Sequence, residues 1–219
     1  MGMPTIQGLL RRMERDLALK EKAEKAPPRP EGFEMGTYTL RVVLSSVSKP
    51  PVWRTLRVPS DIKLGKLHRA LQAAFGWSND HLHSFKTQPY VGFSTNPFFG
   101  KIGADGGISD ARVLYQAVLV EGAKFDYVYD FGDWWSHKIT VEKIMGPDGL
   151  APRIECLGGK GACPPEDCGG PSGYRTIKDV LQDPSHPQYA RIVEWLGTHS
   201  LDPNAFSLEE TNKRLARLR

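Results

Sequence analysis

Apolar residues recur along the chain with two distinct periods. Ile6, Leu9, Leu10, Met13 and Leu17 fall at helical spacing and form one stripe, which predicts an amphipathic helix over about Thr5–Lys25. The proline-rich run Ala26-Pro-Pro-Arg-Pro-Glu-Gly32 ends it, because proline cannot continue a helix. Residues 1–36 therefore read as an appended helix and linker, and residues 37–219 as the folded domain. The stripe is expected to pack on the domain or on a protein partner. From Thr37 the period changes to two. Tyr38, Leu40, Val42 and Leu44 alternate with polar neighbours, and Val52, Arg54, Leu56 and Val58 do so after the Lys49-Pro50-Pro51 turn. Leu64, Leu67, Leu71, Ala74 and Phe75 return to helical spacing, with Pro59-Ser60-Asp61 as the expected N-cap region and Gly76 at the C-terminal cap.

Further along, His81–Thr87 reads as a strand, Gln88–Gly107 as a loop and Asp110–Val120 as a short helix. Phe125–Tyr129 and Trp135–Ile144 read as a second hairpin around a four-residue loop, Asp130-Phe-Gly-Asp133. Gly146–Gly173 reads as one loop, followed by helices over Tyr174–Leu181, Pro187–Leu196 and Leu208–Leu218, the last opened by a capping box of Ser207 and Glu210. The expected class is α+β, with a mixed sheet that starts β-β-α-β in a β-grasp-like order.

Composition narrows this picture a little. The 219 residues hold 29 Lys and Arg against 25 Asp and Glu, a net charge of +4 that by itself points to no nucleic-acid partner. The distribution is more telling: Thr37–Phe75 and the Lys213–Arg219 tail are basic, whereas Phe125–Gly170 is acidic. Such polarity predicts at most a weak, salt-sensitive affinity for nucleic acid. The aromatics Trp53 and Trp77 read better as core anchors than as base-stacking platforms, and His68 reads as packing or surface. The longest aliphatic run, Ala117–Val120, is far short of a membrane span. Three cysteines cannot all pair, and Met1–Leu10 makes no signal peptide, so a reducing cytoplasmic setting is expected.

Two segments carry candidate chemistry. Cys156, Cys163 and Cys168 are spaced C-x6-C-x4-C within glycine- and proline-rich sequence. Three thiolates and an imidazole would close a tetrahedral zinc shell of structural type, with His137 as the expected fourth ligand and His81 or His83 as rivals. His81 and His83, two apart on a strand, would share a face. The hairpin holds Asp130, Asp133, His137 and, beyond it, Glu142, which could instead hold a metal for hydrolysis. The simpler reading is that the aspartates shape the turn and His137 is a core residue. The Asp-Phe-Gly tripeptide has no glycine-rich loop or His-Arg-Asp motif with it, which excludes a kinase.

Taken in order, Tyr38-Thr-Leu-Arg-Val-Val-Leu44, Pro50-Pro-Val-Trp-Arg54, Leu67-His68 through Phe75-Gly76-Trp77, His81-Leu82 and Phe85 resemble the plasmid pRiA4b ORF-3-like family. So do Tyr129-Asp-Phe-Gly-Asp133, Trp135, His137, Glu142, Cys156, Cys163-Pro-Pro-Glu-Asp-Cys168-Gly-Gly and Gly173-Tyr174. The resemblance implies a compact α+β domain from about Thr37 and a mobile-element setting, with a resolvase-like name in some members and no defined activity. A serine recombinase would need a nucleophilic serine among arginines and a separate DNA-binding module, and the sequence has neither. The leading expectation is a non-catalytic, zinc-stabilised binding or accessory module. The alternative is a metal-dependent hydrolase or nuclease built on Asp130, Asp133 and His137.

Overall fold

The computed structural model describes residues 34–86, 114, 120–147 and 153–218. The expected N-terminal helix and linker, the loop after Lys86 and all but Leu114 and Val120 of the Asp110–Val120 helix lie outside them. Six strands form one sheet: β1 (Thr37–Ser48), β2 (Pro51–Pro59), β3 (His83–Lys86), β4 (Lys124–Tyr129), β5 (Trp135–Met145) and β6 (Glu155–Lys160). Their order is β3-β4-β5-β1-β2-β6. Every pairing is antiparallel, so the α+β class holds but the sheet is not mixed. The helices are α1 (Leu64–Phe75), α2 (Gly170–Val180), α3 (Tyr189–Leu196) and α4 (Leu208–Leu215). Among the described residues no helix is long and apolar enough to cross a membrane.

The alternation on β1 and β2 becomes one buried face. Tyr38, Leu40, Val42, Leu44, Leu56 and Val58 are wholly inaccessible, and Leu67, Leu71 and Ala74 of α1 join them in a single core. Arg54 occupies a core-facing register position on β2 and is buried. Its guanidinium donates to four carbonyls: Ala74 O at 3.0 Å, Trp53 O at 2.8 Å, Lys160 O at 2.9 Å and Gly161 O at 3.1 Å. The cation thus satisfies itself by joining the carbonyl-rich end of α1 to the end of β6. Gly76 takes the left-handed conformation at φ 91°, and its N–H donates to Gln72 O at 2.8 Å, as expected of a C-terminal cap. At the other end of α1 the expected cap is absent. Lys63 is the N-cap residue and gives no side-chain bond; Ser60 Oγ instead accepts the Gly36 N–H at 3.0 Å, pinning the entry to β1.

The largest departure from expectation is β6, where a loop was predicted. Gly159 is a close-packing position rather than a hinge: a Cβ there would stand 2.6 Å from the Phe206 ring and 2.9 Å from Arg54 Cδ. Cys156 pairs with Leu56 in the ladder. On its free edge Asn212 of α4 accepts the Cys156 N–H at 2.7 Å and donates to the Cys156 carbonyl at 3.0 Å, so a side-chain amide covers the edge as a neighbouring strand would. Half of the expected α4 capping box forms: Ser207 Oγ accepts the Glu210 N–H at 3.2 Å, while the Glu210 side chain accepts from Lys213 Nζ at 2.8 Å.

Candidate metal centre

The four expected zinc ligands do not converge. Cys156 lies in β6 and its Sγ donates to Gly158 O; Cys168 Sγ donates to Gly170 O just before α2. Burial raises the pKa of all three thiols, that of Cys168 to about 12, so in the structure as it stands they are protonated thiols. His137 is fully inaccessible, with its ring against Phe75, Trp77 and Tyr127 at 4.8–5.3 Å. Its Nδ1–H donates to Trp135 O at 3.0 Å, and desolvation lowers its pKa to about 3, so it is a neutral core histidine. Trp77 is a core anchor, as expected. Trp53 is not: it is half-buried on the other face of the sheet, with the Arg41 guanidinium 3.3 Å above its ring.

A different group does converge. Among the described residues, His81, Asp130 and Asp167 form the one set of three histidine, cysteine or carboxylate donors whose ligand atoms all lie within 4.8 Å of one another. His81 Nε2 stands 3.2 Å from Asp167 Oδ1, 3.8 Å from Asp130 Oδ2 and 3.8 Å from Glu166 Oε2. The chain builds this meeting from three places. His81 sits just before β3, and the Asp130 N–H donates to Leu82 O at 2.9 Å, one step beyond the β3–β4 ladder. That step brings the start of the hairpin loop beside His81.

Asp130 then divides its two oxygens. Oδ1 accepts the Gly132 N–H at 2.8 Å and shapes the turn, while Oδ2 faces His81. The turn role expected of Asp130 is thus carried by one oxygen, and the other is left facing His81. The loop is one residue longer than expected, Asp130–Trp134, since the last ladder pair is Tyr129 with Trp135. Asp133 takes no part in the cluster. Its Oδ2 accepts the Gly169 N–H at 3.2 Å and ties the hairpin to the N-terminus of α2. Glu142 is exposed on β5, away from the group.

Glu166 and Asp167 come from the Cys163–Cys168 segment, where the sequence reading treated them as spacers. Pro164 places them by accepting the Trp77 indole N–H at 3.1 Å. Glu166 Oε1 then receives three donors: the Ser78 N–H at 2.9 Å, the Ser78 hydroxyl at 3.1 Å and the Tyr129 hydroxyl at 3.1 Å. Its other oxygen, Oε2, is buried without a hydrogen-bond donor and stands 3.8 Å from His81 Nε2. A second polar group supports this one. His68 Nδ1 and Gln72 Nε2 both meet the Tyr127 hydroxyl, His68 Nε2 meets Asn79 Oδ1, and the His68 and His83 rings stack 3.5 Å apart. His81 lies against Tyr129 and His83 against Tyr127, two residues apart on β4, so the two histidines sit on one face as expected but in different polar groups. Asn79, Asp130 and Asp167 all have positive φ, at 70°, 55° and 53°. Such backbone costs energy outside glycine, is borne best by Asn and Asp, and gathers at functional sites.

The comparisons with known proteins fit this domain. The plasmid pRiA4b ORF-3-like family matches residues 36–210. The chain belongs to that family. A relative, the uncharacterized protein y4hQ of Sinorhizobium fredii (strain NBRC 101917 / NGR234), is 42% identical over 177 residues, covering 80% of this chain and 88% of its own. The protein of unknown function MM3350 from Methanosarcina mazei Go1, a crystal structure, superposes with a TM-score of 0.63 at 33% identity, covering 81% of this chain and 98% of its own. The family match begins at residue 36, one residue before β1.

Proposed function

We propose that this protein is a metal-dependent hydrolase whose divalent ion is held by His81, Asp130 and Asp167, with Glu166 beside them. The observation that carries this reading is the convergence of those three donors, whose ligand atoms all lie within 4.8 Å of one another; Glu166 adds a carboxylate oxygen, Oε2, that has no hydrogen-bond donor and stands 3.8 Å from His81 Nε2. A buried anionic oxygen without a donor is costly, and a cation removes the cost. Donors about 2.1 Å from a tetrahedral ion stand about 3.4 Å from one another; Asp167 Oδ1 and Asp130 Oδ2 lie 3.2 Å and 3.8 Å from His81 Nε2. One imidazole among carboxylates suits zinc better than magnesium or calcium.

The reading favours catalysis over a closed structural site because three protein donors leave the fourth tetrahedral position to water. The Asp167 side chain is 71% exposed, whereas Asp130 is 9% exposed, so the donor set faces solvent across Asp167. A bound divalent ion supplies a water whose pKa is lowered to about 7 and a Lewis acid for the substrate oxygen. The protein's own part is to hold the donors at fixed angles, through the Asp130 turn and the Ser78–Tyr129 grip on Glu166. The test is turnover of chromogenic phosphate and carboxylate esters by chelator-stripped protein with zinc restored. The expected result is zinc-dependent hydrolysis lost in Asp167→Asn; hydrolysis that is absent, or indifferent to zinc and to this substitution, would overturn the reading.

A further inference from the structure

A cavity of about 560 Å³ lies between α2 and α3 with Asp167 on its wall, within the size range of small-molecule sites. Ile177 of α2 and Ile192 and Trp195 of α3 give it an apolar side. Trp195 is 48% exposed, an unusual amount for so large an apolar surface. Arg191 lines the same space, one helical turn before Trp195. Among the described residues its guanidinium makes no hydrogen bond or ion pair, not even with Glu194 three positions on, so its donor fork is available to a ligand.

We propose that this cavity is the substrate pocket of the metal centre and takes a phosphomonoester carrying a flat ring, a nucleoside monophosphate being the natural form. The proposal rests on the hydrolase reading for its chemistry, and on the cavity alone for binding. A guanidinium fork matches phosphate oxygens in pairs. A phosphate also has oxygens to spare for a cation beside Asp167, which a carboxylate engaged by Arg191 has not. The ring of such a ligand has a natural place on Trp195, since stacking on tryptophan accepts any base. Glu194 and Gln188, also on the lining, offer hydrogen-bonding groups for sugar hydroxyls or base edges. In the hydrolytic step the oxygen of water bonds to phosphorus, the ester P–O bond breaks, and the departing alkoxide takes a proton from solvent, leaving an alcohol and inorganic phosphate.

The test is a binding titration of the full chain with adenosine 5′-monophosphate, followed by tryptophan fluorescence and calorimetry, with chelator and again with zinc. Adenosine, which lacks the phosphate, and ribose 5-phosphate, which lacks the ring, are the controls. Binding of the monophosphate is expected under both conditions and tighter with zinc, with each control at least about 10-fold weaker. Arg191→Ala and Trp195→Ala, both at exposed positions of α3, should each weaken it by about 10-fold or more with chelator present. His81→Ala should remove only the gain that zinc brings. Affinity unchanged in Arg191→Ala and Trp195→Ala, or no binding of the monophosphate, would overturn the pocket. Binding that needs Arg191 and Trp195 but ignores zinc would uphold the pocket and overturn the metal reading.

Discussion

His81 and His137 show how environment divides one residue type between two roles. The strand position of His137 points it into the rings of Phe75 and Trp77, away from solvent. Its pKa is lowered from 6.5 to about 3 by burial, so the native state holds it neutral while the unfolded chain takes up a proton below about pH 6.5. Its contribution to stability is thus fully present above pH 6.5 and is lost as pH falls toward 3. Between pH 7 and pH 5 the loss should reach about 2 kcal/mol. Denaturant melts at the two values will measure it, and His137→Leu should flatten the slope. At the other site, Tyr129 grips Glu166, and burial with the neighbouring carboxylate raises its pKa well above the usual tyrosine value, keeping it a donor. Tyr129→Phe should lower zinc affinity by about 10-fold, as loss of an outer-shell bond does, while leaving the thermal transition in place.

At the scale of elements, alternation and helical stripes were legible because one face of each element is buried: β1, β2, α1, β4 and β5 fall within a few residues of their expected ends. The strand β6 was not legible. Its Cys-Leu-Gly-Gly run has no alternation, and Gly159 answers to Phe206 and Arg54, side chains distant in sequence. Gly159→Ala should therefore cost about 1–3 kcal/mol by overpacking. Asn212→Ala leaves the Cys156 N–H and carbonyl without their partner and should cost about 2 kcal/mol, about 4–8 °C in Tm for a domain of this size; calorimetry checks both. The missed α1 cap has the same origin. Ser60 is a good capping residue by type, but Gly36, outside its local sequence, claims its hydroxyl first.

For the whole molecule, the candidate site was half legible. His81 and Asp130 were named as metal-binding residues, but each was assigned other partners, because strand pairing and the Trp77–Pro164 bond join segments about 46 and 87 residues apart. Glu166 and Asp167 were hidden by the cysteines around them, although the Pro-Pro-Glu-Asp run already belonged to the family resemblance. The N-terminal segment lies before the family match and before β1. A chain beginning at residue 34 should accordingly keep a cooperative thermal transition, which differential scanning calorimetry will show.

The central claim is that the ion belongs to the acidic centre and not to the cysteines. Calorimetric titration of zinc into chelator-stripped wild-type, His81→Ala and Cys163→Ser proteins separates the two directly. The account predicts one ion per chain in the wild type, the same in Cys163→Ser, and affinity lower by about 100-fold or more in His81→Ala. Zinc bound normally by His81→Ala but lost from Cys163→Ser, or no zinc bound by the wild type, would contradict it.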